Sequence, residues 1–234
     1  SSSTYQHLWQ IAPMIKSLDL SGNVMKTLPA EMMEFTKLKN LALSRCYIQR
    51  SRDMSTLPML TNLRLDHNDF ESHTLAPLPI CLFKLDLSSN HFKEFPMEGL
   101  GALSLLVELK LTKNRITNLY GISCMESLEL LVLDDNKLAG LPEELGALAH
   151  LRSLSVRRNL IGKTDPEQDG GQSINLAVFV ATDLVAIDLD GNPLALSDVQ
   201  AMDGVDDFMD RRKKVKDKSF SGGAATDMGV FGLE

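Results

Sequence analysis

Leu128-Glu129-Leu130-Leu131-Val132-Leu133-Asp134-Asp135-Asn136-Lys137-Leu138-Ala139-Gly140-Leu141-Pro142 reduces to L-x-x-L-x-L-x-x-N-x-L-x-x-L-P, with mostly polar residues between the fixed positions. The pattern lies over the chain eight times. Its fourth position falls on Leu18, Leu41, Leu63, Leu85, Leu109, Leu131, Leu154 and Ile187, at spacings of 23, 22, 22, 24, 22, 23 and 33 residues. A near-constant period of this length means a stack of similar units, none of which can bury its own leucines without its neighbours. The L-x-L pair alternates inward and outward, as a short strand with one buried face does. Eight such strands at about 4.8 Å make a parallel sheet roughly 34 Å across.

The ninth position reads Asn23, Cys46, Asn68, Asn90, Asn114, Asn136, Asn159 and Asn192. The strand ends there, and backbone groups turning inward need partners. An amide supplies two donors and an acceptor, whereas the Cys46 thiol is a weak donor, so the second turn is expected to be less firmly tied. Leu28-Pro29, Phe95-Pro96 and Leu141-Pro142 open the return segments of three repeats. Proline is tolerated there because an extended or turn segment needs no amide donor.

These residues closely resemble the leucine-rich repeat family. The run from Leu141-Pro142 to Leu151 is similar to the short intracellular class that includes Ras-suppressor-like and plant intracellular Ras-group-related proteins. Repeats two, three and five lack the L-P pair and look more like the shorter repeats of phosphatase-regulatory and ciliary proteins. The resemblance implies an α/β fold: a right-handed solenoid (horseshoe) with a concave parallel sheet of about eight strands and a C-terminal capping helix. It also implies binding of a protein partner along the concave face, often within a larger assembly.

Composition narrows the function. The 234 residues are 44% hydrophobic but only 6% aromatic, so the core must be aliphatic. A net charge of -7 argues against a nucleic-acid footprint over the whole protein. The three cysteines, Cys46, Cys81 and Cys124, are odd in number and show no paired spacing or cysteine-rich cap. That points to a reducing compartment, so an intracellular and chiefly cytoplasmic protein is expected, with organellar, ciliary or nuclear settings as alternatives. No apolar run approaches the roughly 18 residues of a membrane span. The chain opens Ser1-Ser2-Ser3 without methionine, which leaves room for a removed targeting segment.

Outside the repeats of residues 15–196, residues 1–14 read as an N-terminal cap in which Leu8, Trp9, Ile11 and Met14 cover the first turn, or as an arm for a partner. About ten extra residues within 162–174 read as a protruding polar loop, either a tolerated insertion or a finger for a partner. Residues 197–218 read as a capping helix started by Ser197, with Val199, Met202, Val205, Phe208 and Met209 on its apolar face. Gly204 leaves open a split into two helices. The end of this helix carries Arg211, Arg212, Lys213, Lys214, Lys216 and Lys218, six of the chain's 24 basic residues. They read either as a solvated helix end or as an import signal, lipid contact or nucleic-acid contact. The tail, 219–234, ends Met228-Gly229-Val230-Phe231-Gly232-Leu233, apolar enough to fold back or enter a partner.

Phosphate loops, zinc-protease motifs, nucleophile elbows and paired C-x-x-C are all missing, so a non-enzymatic scaffold without metal or cofactor is expected. His67 and His91 sit near each other in successive repeats but lack further ligands. On the concave face, adjacent strands can pair Arg64 with Asp86, and Glu108 with Lys84 or Lys110. Leu130 and Val132 put apolar side chains where other repeats are polar. With Lys110, Lys113, Asp134, Asp135, Arg157 and Arg158 around them, they form the expected partner site. The alternatives are a regulatory subunit of a small GTPase or phosphatase, and a structural subunit of a ribonucleoprotein, organellar or ciliary complex. Nucleic acid or anionic lipid would be reached only through 211–218.

Overall fold

The chain folds as a leucine-rich-repeat solenoid. Its structure, a computed structural model, describes residues 10–162 and 173–220, with side chains to residue 215. Eight three-residue strands form one parallel sheet in chain order: β1 (Ser17–Asp19), β2 (Asn40–Ala42), β3 (Asn62–Arg64), β4 (Lys84–Asp86), β5 (Glu108–Lys110), β6 (Leu130–Val132), β7 (Ser153–Ser155) and β8 (Ala186–Asp188). The fourth-position residues stay in register, Leu18 opposite Leu41, then Leu63, Leu85, Leu109, Leu131, Leu154 and Ile187. From Leu41 onward each is buried, in a core that is almost wholly aliphatic apart from a few phenylalanines such as the stacked Phe70 and Phe92.

From Asn68 onward the ladder asparagines each bond across two repeats, whereas Asn23 bonds Leu20 O in its own. The Asn114 amide donates to Leu111 O in its own turn at 3.0 Å and to Leu87 O in the preceding turn at 3.1 Å. Its carbonyl accepts the Phe92 N–H at 3.2 Å. Asn68, Asn90, Asn136 and Asn159 repeat this pattern. Cys46 manages half of it. Its thiol donates to Leu20 O at 3.2 Å, and the Met25 N–H turns to the Cys46 backbone carbonyl at 2.9 Å.

The residue before each ladder position is left-handed in every repeat. Arg45, His67, Ser89, Lys113, Asp135 and Arg158 have φ between 50° and 56°, and Gly22 and Gly191 take the same role in the end repeats. The turn aims that residue's N–H at the next repeat: Lys113 donates to Asp134 O and Asp135 to Arg157 O, both at 2.8 Å.

Helical return segments follow the L-P pairs. Pro29 and Pro142 occupy the N-cap positions of the 3-10 turns Ala30–Glu34 and Glu143–Ala147, and Pro96 that of α1 (Met97–Leu100). A residue without an N–H loses nothing at a helix start, where that donor has no intrahelical partner.

At the C-terminal end, α2 (Ala177–Val180) precedes β8, and the expected capping helix is divided into α3 (Leu196–Gln200) and α4 (Val205–Phe220), the split that Gly204 left open. Gly204, at φ 81°, makes the break. Ser197 does not start α3; Ala195 holds the N-cap position, with no side-chain cap. Val199, Val205 and Phe208 are buried, and the Phe208 ring packs on Phe179 with centroids 5.9 Å apart. Met209 is largely outside this face.

At the N-terminal end Ala12 is buried, whereas Ile11 and Met14 face solvent and Leu18 and Leu20 are half-buried. Leu8 and Trp9, the rest of the expected cover, lie outside the described residues, as do 163–172 of the insertion and 221–234 of the tail. Ile174, at the insertion's far edge, is buried and bridged to Leu141, so it belongs to the solenoid and not to a loop.

Asn114→Ala takes the amide acceptor from the buried Phe92 N–H and one of two amide donors from each of Leu87 O and Leu111 O. It should cost about 3 kcal/mol in urea unfolding, whereas Cys46→Ala should cost less than half as much. Equal losses would mean that the amide ladder does not carry the stack.

Candidate functional site

The expected concave site is built on β5–β8. Leu130 and Val132 lie half-buried on the face of β6, opposite Glu108 and Lys110 of β5 and Ser153 and Ser155 of β7. Ser153 is followed across the sheet by Ala186. Two aliphatics therefore overlook a floor of small side chains, with charged strands on both sides.

The charges around this floor are paired. Glu108 accepts hydrogen bonds from Lys110 and Lys84, both at 2.8 Å, and these hold its carboxyl below the usual range. Arg158 grips Asp135 with two hydrogen bonds, Nε to Oδ1 at 2.6 Å and Nη2 to Oδ2 at 2.8 Å, which lower the Asp135 pKa and raise that of Arg158. Arg157 donates through Nη2 to Asp190 at 2.8 Å and lies 3.7 Å from Asp188 through a buried Nε with no hydrogen-bond partner. Asp134 faces its own sheet, accepting Ser155 Oγ at 2.6 Å and the Arg157 N–H at 2.9 Å. Lys113 is exposed and forms no ion pair among the described residues. Asp188, Asp190 and Ser155, absent from the expected site, hold Arg157 and Asp134.

One expected pair is different. Arg64 does not bridge to Asp86 on the next strand; it lies 3.4 Å from Asp66, two residues past the end of β3. Asp86 instead accepts the Ser88 N–H at 2.9 Å. Asp66 is the buried acid of this face. It accepts Ser44 Oγ at 2.5 Å and lies 2.9 Å from the His67 ring nitrogen. Burial alone would raise its pKa; the Ser44 hydroxyl, His67 and Arg64 outweigh that and hold it below the ordinary value. His91 lies 3.6 Å from Asp69, so the two neighbouring histidines answer to separate acids. Beside Leu130 and Val132, a hollow of about 480 Å³ is lined by Asn62, Arg64, Lys84, Asp86, Glu108 and Lys110.

The basic stretch is divided by the fold. Arg211 reaches the end of α2, donating to Phe179 O and, at 3.2 Å, to Leu184 O, and Arg212 donates to Val185 O at 3.5 Å. A cation on the last carbonyls of a helix is well placed electrostatically. Lys213 and Lys214 are exposed, while Lys216 and Lys218 lie further along α4, beyond the described side chains. The six residues do not form one free patch.

Comparison with known proteins agrees with this architecture. The family model described as leucine rich repeat matches residues 82–138. Plant intracellular Ras-group-related LRR protein 8 of Oryza sativa subsp. japonica is 38% identical over 76 residues, covering 31% of this chain and 20% of that protein. Leucine-rich repeat and calponin homology domain-containing protein 1 of Mus musculus is 34% identical over 85 residues, covering 35% of this chain and 12% of its own length. The chain thus spans a fifth or less of these curated relatives. Among solved structures, internalin C2 of Listeria monocytogenes superposes with a TM-score of 0.61 at 21% identity, over 84% of this chain and 80% of that one. That likeness is one of fold.

Folding lowers the Asp66 pKa from its ordinary 3.8, so this group stabilises the fold above that pH. The contribution is lost as pH falls from the ordinary value through the folded one. Thermal melts from pH 6 to pH 3 should therefore show a smaller acid loss for Asp66→Asn than for wild type. An equal loss would assign the acid sensitivity to other groups.

Proposed function

We propose that this chain is a non-enzymatic, protein-binding scaffold whose partner docks on the concave face over repeats five to seven. Leu130 and Val132 carry the reading: they are apolar side chains at outward sheet positions that are polar or charged in most other repeats. Interface centres are apolar and poor in charge, with a polar rim. The serine and alanine floor leaves room for a bulky partner side chain beside the two aliphatics. The ion pairs of Glu108, Asp135 and Arg157 bound this floor and arrive already ordered, which lowers the entropy lost on binding.

The partner chemistry follows from the rim. Lys110 and Lys113 stand on one flank, and the acids Asp188 and Asp190 on the other, the latter engaged with Arg157. A segment with an apolar anchor between an acidic and a basic end fits this order. The similarity to an intracellular Ras-group-related protein, together with three free cysteines, supports an intracellular setting. Among the described residues, no helix is long and apolar enough to cross a membrane.

Affinity purification from the source cells, with quantitative mass spectrometry, tests the site. Leu130→Arg and Val132→Glu should each reduce the captured partner at least tenfold without changing the melting temperature by more than a few degrees. If every partner survives both substitutions, the concave site over repeats five to seven is wrong.

A further inference from the structure

We propose that the edge formed by the segments entering β2–β6 pairs two copies of this chain about a two-fold axis at the fourth repeat. The two residues before and the one just after each repeat's first leucine lie along this edge. One row is a continuous backbone ladder: the Thr61 N–H donates to Lys39 O, Phe83 to Thr61 O, Val107 to Phe83 O and Glu129 to Val107 O. The order of side chains along the edge is therefore known repeat by repeat.

On this edge the middle three repeats carry four exposed apolar side chains. Met59, Ile80, Phe83 and Leu105 are exposed by 47%, 63%, 46% and 49%, although the leucines beside them, Leu60, Leu82 and Leu106, are fully buried. Together the four exposed side chains offer on the order of 400 Å², the size at which an apolar patch on a single chain commonly marks an interaction site.

Charge brackets this patch with opposite signs. On the second repeat stand Lys37 and Lys39, and on the sixth stand Glu126 and Glu129; all four are exposed and form no ion pair among the described residues. Each bracket lies two strand spacings, about 10 Å, from the fourth repeat. This distribution is self-complementary. A two-fold axis at the fourth repeat sets Ile80 and Phe83 against their own counterparts and Met59 against Leu105. It also sets Lys37 and Lys39 of one copy against Glu126 and Glu129 of the other, twice over. An isologous contact demands that kind of pattern. One step further out, Lys16 would meet Arg152, a like-charge pair, so the contact ends at the second and sixth repeats. The charged flanks lengthen the buried edge to about 20 Å, extending the apolar patch toward the roughly 800 Å² per partner of a standard interface.

Sedimentation velocity of the full chain tests the arrangement. Wild type should sediment at twice the chain mass at about 100 μM and dissociate on dilution and in high salt. Phe83→Lys should be a monomer with an unchanged circular dichroism spectrum. Lys37→Glu with Lys39→Glu should be a monomer, and so should Glu126→Lys with Glu129→Lys. Mixing these two charge variants in equal amounts should restore the dimer, because every bracket then meets its opposite. A wild-type chain that stays monomeric at that concentration overturns the proposal. So does a dimer indifferent to Phe83→Lys, or a mixture of the charge variants that fails to associate.

Discussion

The ladder amide is the interaction on which the other contacts of this solenoid rest, because each one closes its own turn and holds the preceding one. It also imposes a backbone condition. The residue before it turns left-handed to pass its N–H to the following repeat, as the run of positive φ values from Arg45 to Arg158 shows. For a non-glycine residue that conformation costs about 1 kcal/mol or more. The interior repeats accept the cost because the hydrogen bond it completes lies inside the sheet. The end repeats use Gly22 and Gly191. Stability is therefore a property of adjacent repeats, as expected for a stack in which each unit touches only its neighbours.

The same condition shapes the concave surface. Side chains at the seventh and eighth positions leave a backbone already fixed by the ladder, so their directions are set before any partner arrives. Asp134 turns back to bond the Ser155 hydroxyl and the Arg157 N–H, and Asp135 meets Arg158 of the next repeat. Exposed pairs of this kind contribute little stability. Their effect is on geometry: they hold the rim of the Leu130 and Val132 surface in one arrangement.

Most of this fold can be read from the residues. The leucine period sets the strand order and register, the asparagines mark the ladder, and Gly204 marks the break between α3 and α4. What could not be read are choices between contacts of similar reach. Arg64 sits near both Asp66, two residues past the end of its own strand, and Asp86, on the next; Asp66 wins because Ser44 and His67 already fix its carboxylate. Arg211 looks like one member of a basic run, yet it reaches the carbonyls of Phe179 and Leu184, contacts that depend on how α4 lies against α2. The left-handed position was visible only in Gly22 and Gly191, since five other residue types at the remaining six positions conceal it.

The framework positions of a repeat have little freedom, so their identity carries structural information and little else. The positions between them are free. Lys37 and Lys39, Ser127 and Glu129, and His150 and Arg152 show that the sites flanking the first leucine tolerate polar residues with no loss of burial beside them. Phe83 and Leu105 occupy equivalent sites, so their apolarity answers no demand of the core. The same holds for Leu130 and Val132 at outward sheet positions where β4 carries Lys84 and Asp86. These two departures lie on neighbouring repeats but on different surfaces, one on the edge before the strands and one on the sheet. A contact made through the edge leaves the sheet open, so two copies joined there would present two concave faces. Linked sites of that kind gain avidity for a partner with repeated or paired docking segments, without any new contact within each site.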